Sequence, residues 1–320
     1  METLSGQEIL FLVDLTGSPA VAEVGGLDMQ IHLVDGTYEL FRHHFALPSR
    51  INSDGLEVAA TRGVVMSMLG LLKEGATHVG IATDHVVQSF RNDLYDGYKT
   101  GEGTEPVLLD QFWLLEDVLE AVGFKVFRMV EHEADDAMGA ASVIAAADER
   151  VERVIICTPD KDLGQCVVGT RVVQFDRRKG LMIDHDGVIE KFGVPPESIP
   201  DYLGLMGDSA DGFPGLAGWG AKSASTVLAR YGHIENIPDD AADWDVTVRG
   251  AAKLAATLAD QRELAMLFRR VATIDYAAPT MENIDELFWT GPTDALASFA
   301  ERIDAPRLVE RVEKLAQTRN

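Results

Sequence analysis

The residues best suited to chemistry in this chain are acids, and they come in short groups. Glu133, Asp135 and Asp136 lie within EHEADDAMGAA (131–141), ahead of an alanine-rich run. Carboxylates this close repel one another unless something neutralises them. The positive end of a helix dipole is one candidate, which would make the cluster a solvated first turn. A divalent cation is the other. Asp160 and Asp162 form a second group in TPDKD, and Asp208 and Asp211 a third in GDSAD. Asp208 and Asp211, three apart, share a face if helical; an Asx-type loop is the plainer reading. Asp35 and Asp84 stand alone, each closing an apolar run.

The elements that must position these acids decide between the readings. IHLVD (31–35), THVGIATD (77–84), FKVFRMV (124–130) and RVIICTPDKD (153–162) read as strands. RVVQFD (171–176) and LMIDHDGV (181–188) read as a closing hairpin with Arg177-Arg178-Lys179-Gly180 between them. Residues 56–72, 107–123 and 133–147 carry apolar side chains at helical spacing. Strands alternating with helices predict an α/β fold, a mostly parallel sheet flanked by helices. Sites in such sheets form beyond the carboxyl ends of the strands. Asp35, Asp84, Asp160 and Asp162 fall at those ends, and the EADD cluster opens a helix at the same edge. Helix dipoles cannot account for acids that end strands. Each acid alone has a turn or N-cap reading; jointly they predict a polycarboxylate site for hard cations such as Mg²⁺ or Mn²⁺.

From about residue 196 the pattern becomes helical and glycine-rich. Gly218-Trp219-Gly220-Ala221-Lys222 precedes a helix. Glycines let backbone amides approach an anion, and the helix N-terminus adds its dipole, so the segment reads as a phosphate clamp that ignores base identity. Such a pattern also occurs in plain helix connections. Lys+Arg is 28 against Asp+Glu 52, a net charge of −24. Bulk electrostatics therefore repel nucleic acid, and DNA binding must rest on local cations and metals. The two cysteines, Cys157 and Cys166, make no zinc or disulfide framework and suit a reducing cytoplasm. No apolar run approaches the 18 or so residues of a membrane span. Residues 1–29 read as a flexible extension without a signal peptide, with Met29 a candidate start, 30–195 as the core and 196–320 as the helical region.

Ordered motifs now carry a resemblance: LVDGTYELFR (33–42), SFRNDLYDGYK (89–99), EADDAMG (133–139), TPDKDLGQ (158–165) and GLMGDSADGFPGLAGWGAKSA (204–224). Over roughly residues 30–300 the chain resembles the bacterial 5′-nucleases, a group that includes the 5′-nuclease domain of DNA polymerase I and, more distantly, the flap endonucleases. The resemblance implies a stand-alone, monomeric, structure-selective nuclease in DNA replication and repair, acting on 5′ flaps, nicks, gaps and 5′ ends. It implies a PIN-like nuclease core with an arch at 85–115, and a C-terminal helix-three-turn-helix that grips duplex DNA, often around a K⁺ ion. It places Asp35, Asp84, Glu133 and Asp135 around a first metal and Asp160, Asp162, Asp208 and Asp211 around a second, with Asp136 closing the cluster. Lys99 approaches the scissile phosphate, and Arg91, in the arch segment, is the second catalytic cation. Gly218, Gly220 and Lys222 form the clamp, with Arg42 and Arg62 as further DNA contacts.

The chain departs from that pattern at Glu102, where an arginine is usual, and at Arg62, where a tyrosine is. It departs again at Gly212 in place of asparagine and at Trp219 in place of a small aliphatic. These bear on threading and substrate preference; no metal position changes. His43, His44, His85 and His132 read as neighbours of the site or surface residues, since hard cations prefer oxygen. Cys157 reads as a buried small hydrophobe, and Arg177-Arg178-Lys179 as a charged hairpin tip. Two rivals remain, an RNA-directed nuclease and a non-catalytic DNA-binding relative. The clamp argues against the first and the complete acid set against the second.

Overall fold

A computed structural model describes residues 29–319; the rest of the expected extension, 1–28, lies outside the described residues. The first half runs β1 (Met29–Asp35), α1 (Gly36–Ala46), α2 (Ala59–Lys73), β2 (His78–Asp84), α3 (Phe90–Leu94), α4 (Pro106–Val122), β3 (Lys125–Met129), α5 (Ala134–Ala147) and β4 (Val151–Cys157). Then come β5 (Val172–Asp176), β6 (Leu181–Ile183), α6 (His185–Phe192), α7 (Ile199–Met206), α8 (Ala221–Tyr231), α9 (Ala251–Ala272), α10 (Leu296–Arg302) and α11 (Arg307–Gln317).

The six strands form one sheet in the order β3-β2-β1-β4-β5-β6. Five are parallel and β6 closes the edge antiparallel to β5, as the hairpin reading predicted. Both faces are covered, which is why the central strands read as unbroken apolar runs. In β1 alternate residues part company: Val34 enters the core with α2 and α4, while Ile31 and Leu33 pack against α5. The order of strands reverses between β1 and β4. A crevice opens at their carboxyl ends there, the place where open sheets bind ligands.

Three expectations shift. β4 stops at Cys157, so Asp160 lies in the following loop and Asp162 opens a short 3₁₀ helix. The stretch 85–115, expected as an arch, contains α3 and the first turns of α4, so only 85–89 and 95–105 are irregular. After α9 the chain returns to the sheet. Phe288 bridges to His78, and Trp289 donates its amide to Thr77 O at 2.9 Å. Leu296, Ala300, Ile303, Leu308 and Val312 of α10 and α11 then join the core of α2 and α4. α7, α8 and α9 keep a core of their own around Leu203, Val227, Leu258 and Phe268.

Candidate metal centre and nucleic-acid interface

The first acids hang from strand and helix ends that fix their direction. Asp35 caps α1, accepting from Tyr38 N at 2.7 Å; its other oxygen accepts from Thr158 Oγ1 at 2.9 Å across the β1–β4 seam. Asp84 accepts from Ala134 N at 2.7 Å, in the first turn of α5. Glu133 caps that helix and is gripped by two hydroxyls, Ser89 and Tyr98, each at 2.9 Å. The plain cap readings are therefore right as well: helix ends hold the acids while their free lone pairs face one region. Asp135 points to the same place. Burial, then Asp160 and Asp35, push its carboxyl well above the usual range. Asp35 is raised to about 7, by burial first and then by Asp84 and Asp160, against hydrogen bonds from Tyr38 and Thr158.

The second group joins the sheet to the helical module. Carboxylate oxygens of Asp162, Asp208 and Asp211 lie within 4.8 Å of one another. Asp208 and Asp211 do not share a helix; they sit on a tight turn closed by Asp208 N to Phe213 O (2.8 Å) and its return bond (3.1 Å). Gly212 makes that turn possible. Its φ is +87°, and a Cβ there would stand 2.3 Å from Gly97 O, so the position tolerates no side chain. Asp162 is raised by burial and by Asp160, Asp211 and Asp208, and its Oδ1 is buried without a partner. Two lysines answer this charge: Lys161 pairs with Asp208 at 2.6 Å, and Lys99 with Asp211 at 2.8 Å and Glu133 at 3.5 Å. Lys99 thus bridges the two groups. Burial opposes its charge, yet Glu133, Tyr98 and Asp211 hold it firmly protonated.

The donor set is all oxygen, crowded, and short of positive charge, with one buried oxygen left open. These features fit hard divalent cations. Beside it a cavity of about 530 Å³ is lined by Thr37, Phe41, Asp84, Tyr98, Lys99 and the arch residues through Thr104.

Comparison with known proteins gives the same answer. Residues 30–193 match the family described as "5'-3' exonuclease, N-terminal resolvase-like domain", and 194–295 match "5'-3' exonuclease, C-terminal SAM fold". The chain belongs to the 5′-3′ exonuclease family. It is 32% identical to a 5′-3′ exonuclease of Aquifex aeolicus over 65% of this chain and 71% of that protein. It is also 32% identical to DNA polymerase I of Bacillus caldotenax, over 86% of this chain but 32% of that protein. The chain thus spans about a third of the length of its DNA polymerase I relatives. The zinc-bound T5 5′-exonuclease shares the fold at TM-score 0.63 and 21% identity, over 86% of this chain and 98% of that one. The catalytic core of Rad2 in complex with DNA substrate does so at 0.59 and 16%, over 90% of this chain and 92% of that one.

Several expected site residues are tied into other contacts. Asp136 is fully buried; both its oxygens receive Arg91, at 2.7 and 2.8 Å, and the amides of Glu133 and Asp275. No lone pair is left facing the other acids. Arg91 is correspondingly interior. It also donates to Val271 O and Thr273 O, tying α3 to α5 and to the end of α9, and its Nη1 stands 3.6 Å from Glu133 Oε2. Arg42 pairs with buried Glu39, which Arg177 joins at 3.2 Å; Arg177 is therefore folded inward and not a free hairpin tip. Arg62 donates to Ile303 O at 3.0 Å, against α10, away from the acids.

The clamp is also redistributed. The Gly220 amide is taken by Ser223 Oγ at 3.0 Å, while Gly218 (φ +89°) is exposed and Lys222 is free to solvent. Trp219 is buried, bonding Leu254 O and tilting against Trp244 at 6.1 Å, which pins the turn to α9. His85, His43 and His132 bond Glu116, Glu39 O and Asp275, outside the acid group. Both cysteines are free and buried. The sequence reading missed Ser89, Tyr98, Thr158 and Lys161. All four sit inside the quoted motifs, and for Thr158 and Lys161 their place beside Asp160 was the available signal.

Proposed function

We propose that the chain is a divalent-metal-dependent 5′-nuclease that hydrolyses DNA phosphodiesters at 5′ ends, nicks, gaps and 5′ flaps. The observation that carries this reading is the convergence of eight carboxylates from the sheet and the helical module, bridged by Lys99. Asp35, Asp84, Glu133 and Asp135 would hold one Mg²⁺ or Mn²⁺, and Asp160, Asp162, Asp208 and Asp211 a second. Such a pair supplies water activation and neutralises the leaving oxygen. The chain's own groups do the rest. Tyr98 and Ser89 fix Glu133, and Thr158 fixes Asp35. Lys99, placed between Asp211 and Glu133, would donate to the scissile phosphate, where negative charge grows. Lys222, the exposed Gly218 and the free first-turn amides of α8 take duplex phosphates without reading bases, with K⁺ as the ion suited to that turn.

The test is cleavage of end-labelled nicked, gapped and flapped duplexes with product mapping, beside single-stranded RNA, in Mg²⁺, Mn²⁺ and EDTA. Metal-dependent products with 5′-phosphates from duplex DNA support the reading. Preference for RNA, or no cleavage in Mn²⁺, would overturn it.

A further inference from the structure

Helices α10 and α11 lie past residue 295, the last matched by the family, and the turn between them joins α11, α2 and Arg50 around a cavity of about 410 Å³. Four guanidinium groups line it, Arg50, Arg62, Arg307 and Arg311, against one carboxylate, Asp304. In a chain of net charge −24 this is a conspicuous excess of cations. Their internal partners are few. Asp304 takes Arg50, and Arg62 bonds two carbonyls, those of Ile303 and Asp304. Arg311 has Met66 Sδ at 3.5 Å, a weak acceptor. Arg307 makes no ion pair among the described residues. Arg307 and Arg311 stand one turn apart on α11, a spacing at which like charges destabilise a helix. Burial and then the charge of Arg50 lower the pKa of Arg62, against the opposing pull of Asp304.

We propose that this pocket is an anion site that takes a phosphate group, with Arg307 and Arg311 as its free forks and Asp304 as a built-in competitor. A guanidinium presents parallel donors that match phosphate oxygens, and the cavity falls in the size range of small-ligand sites. The phosphate can belong to a DNA backbone or to a free phosphate compound. Only the DNA source rests on the nuclease reading.

Two ligands separate the sources: inorganic phosphate, and a nicked duplex bound in Ca²⁺ at several salt concentrations. Each is titrated calorimetrically into the parent chain, the Arg307→Gln/Arg311→Gln double variant and Asp304→Asn. The double variant should lose phosphate affinity roughly tenfold or more, as charged hydrogen bonds disappear. Asp304→Asn should bind phosphate several-fold tighter, because the competitor is gone and asparagine keeps the φ of 53°. This opposite effect keeps the test decisive if the double variant folds poorly. If DNA is the source, the double variant's salt slope for duplex binding falls by about 0.9 for each phosphate it no longer neutralises. An unchanged slope assigns the site to free phosphate. Undetectable phosphate binding by the parent, or equal binding by all three proteins, overturns the site whatever the nuclease assays give.

Discussion

Asp35 shows what the acid cluster costs when no cation balances it. Its carboxyl is raised to about 7 from an ordinary value near 3.8. The folded state therefore holds a proton that the unfolded state has already released, and stability falls as pH rises from about 4 to about 7. Asp35→Asn removes this one contribution. In EDTA its melting temperature should match the parent near pH 4 and exceed it increasingly toward pH 8. The gain is a few kcal/mol at most, since each tenfold change in proton affinity corresponds to about 1.4 kcal/mol. Added Mn²⁺ should reverse the order, since the variant loses a ligand. A pH-independent difference would remove the desolvation argument. Lys99 softens the repulsion at Glu133, Asp135 and Asp160, as Lys161 does at Asp208. Lys99→Ala should destabilise the metal-free protein. It should also lower the saturated single-turnover rate by roughly a hundredfold, with duplex binding in Ca²⁺ little changed. A variant that lost only affinity would make Lys99 a binding group.

Between elements, the Arg91–Asp136 pair is the joint. It connects α3, α5 and the last turn of α9, with four of the five arginine N–H groups donated to Asp136, Val271 O and Thr273 O. Arg91→Gln leaves a buried carboxylate unpaired, a loss of roughly 3–5 kcal/mol. Circular dichroism melts should show a large drop, and activity should fall with the folded fraction rather than through the chemical step. A well-folded, inactive Arg91→Gln would restore a catalytic role. The sequence carries no warning of this. In FRNDL a five-residue helix has too few positions for a periodic face, so an interior arginine and a surface one look alike. The strand-end acids were legible for the opposite reason: unbroken apolar runs mark central strands, and the connection order aligns their carboxyl ends. The return of α10 and α11 was not legible either. Periodicity reveals that a helix has an apolar face, but the partner of that face depends on which surface the rest of the chain leaves open.

At the scale of the whole molecule, a net charge of −24 leaves DNA affinity to a few fixed cations. Lys222 is exposed at the start of α8. Lys222→Ala should weaken duplex binding about equally for every sequence and leave the cut position unchanged. Footprints or product ladders that vary with sequence would show that Lys222 reads bases. The placement of Asp208 and Asp211 has a further, evolutionary consequence. They lie beyond residue 193, in the same module as Lys222, while the other six acids lie before it. Recombination at that junction would hand on the grip for the duplex together with a quarter of the acids that hold the cations. On the nuclease reading, a chimaera joined at that boundary would change both together, and its metal affinity and its duplex affinity should shift as a pair.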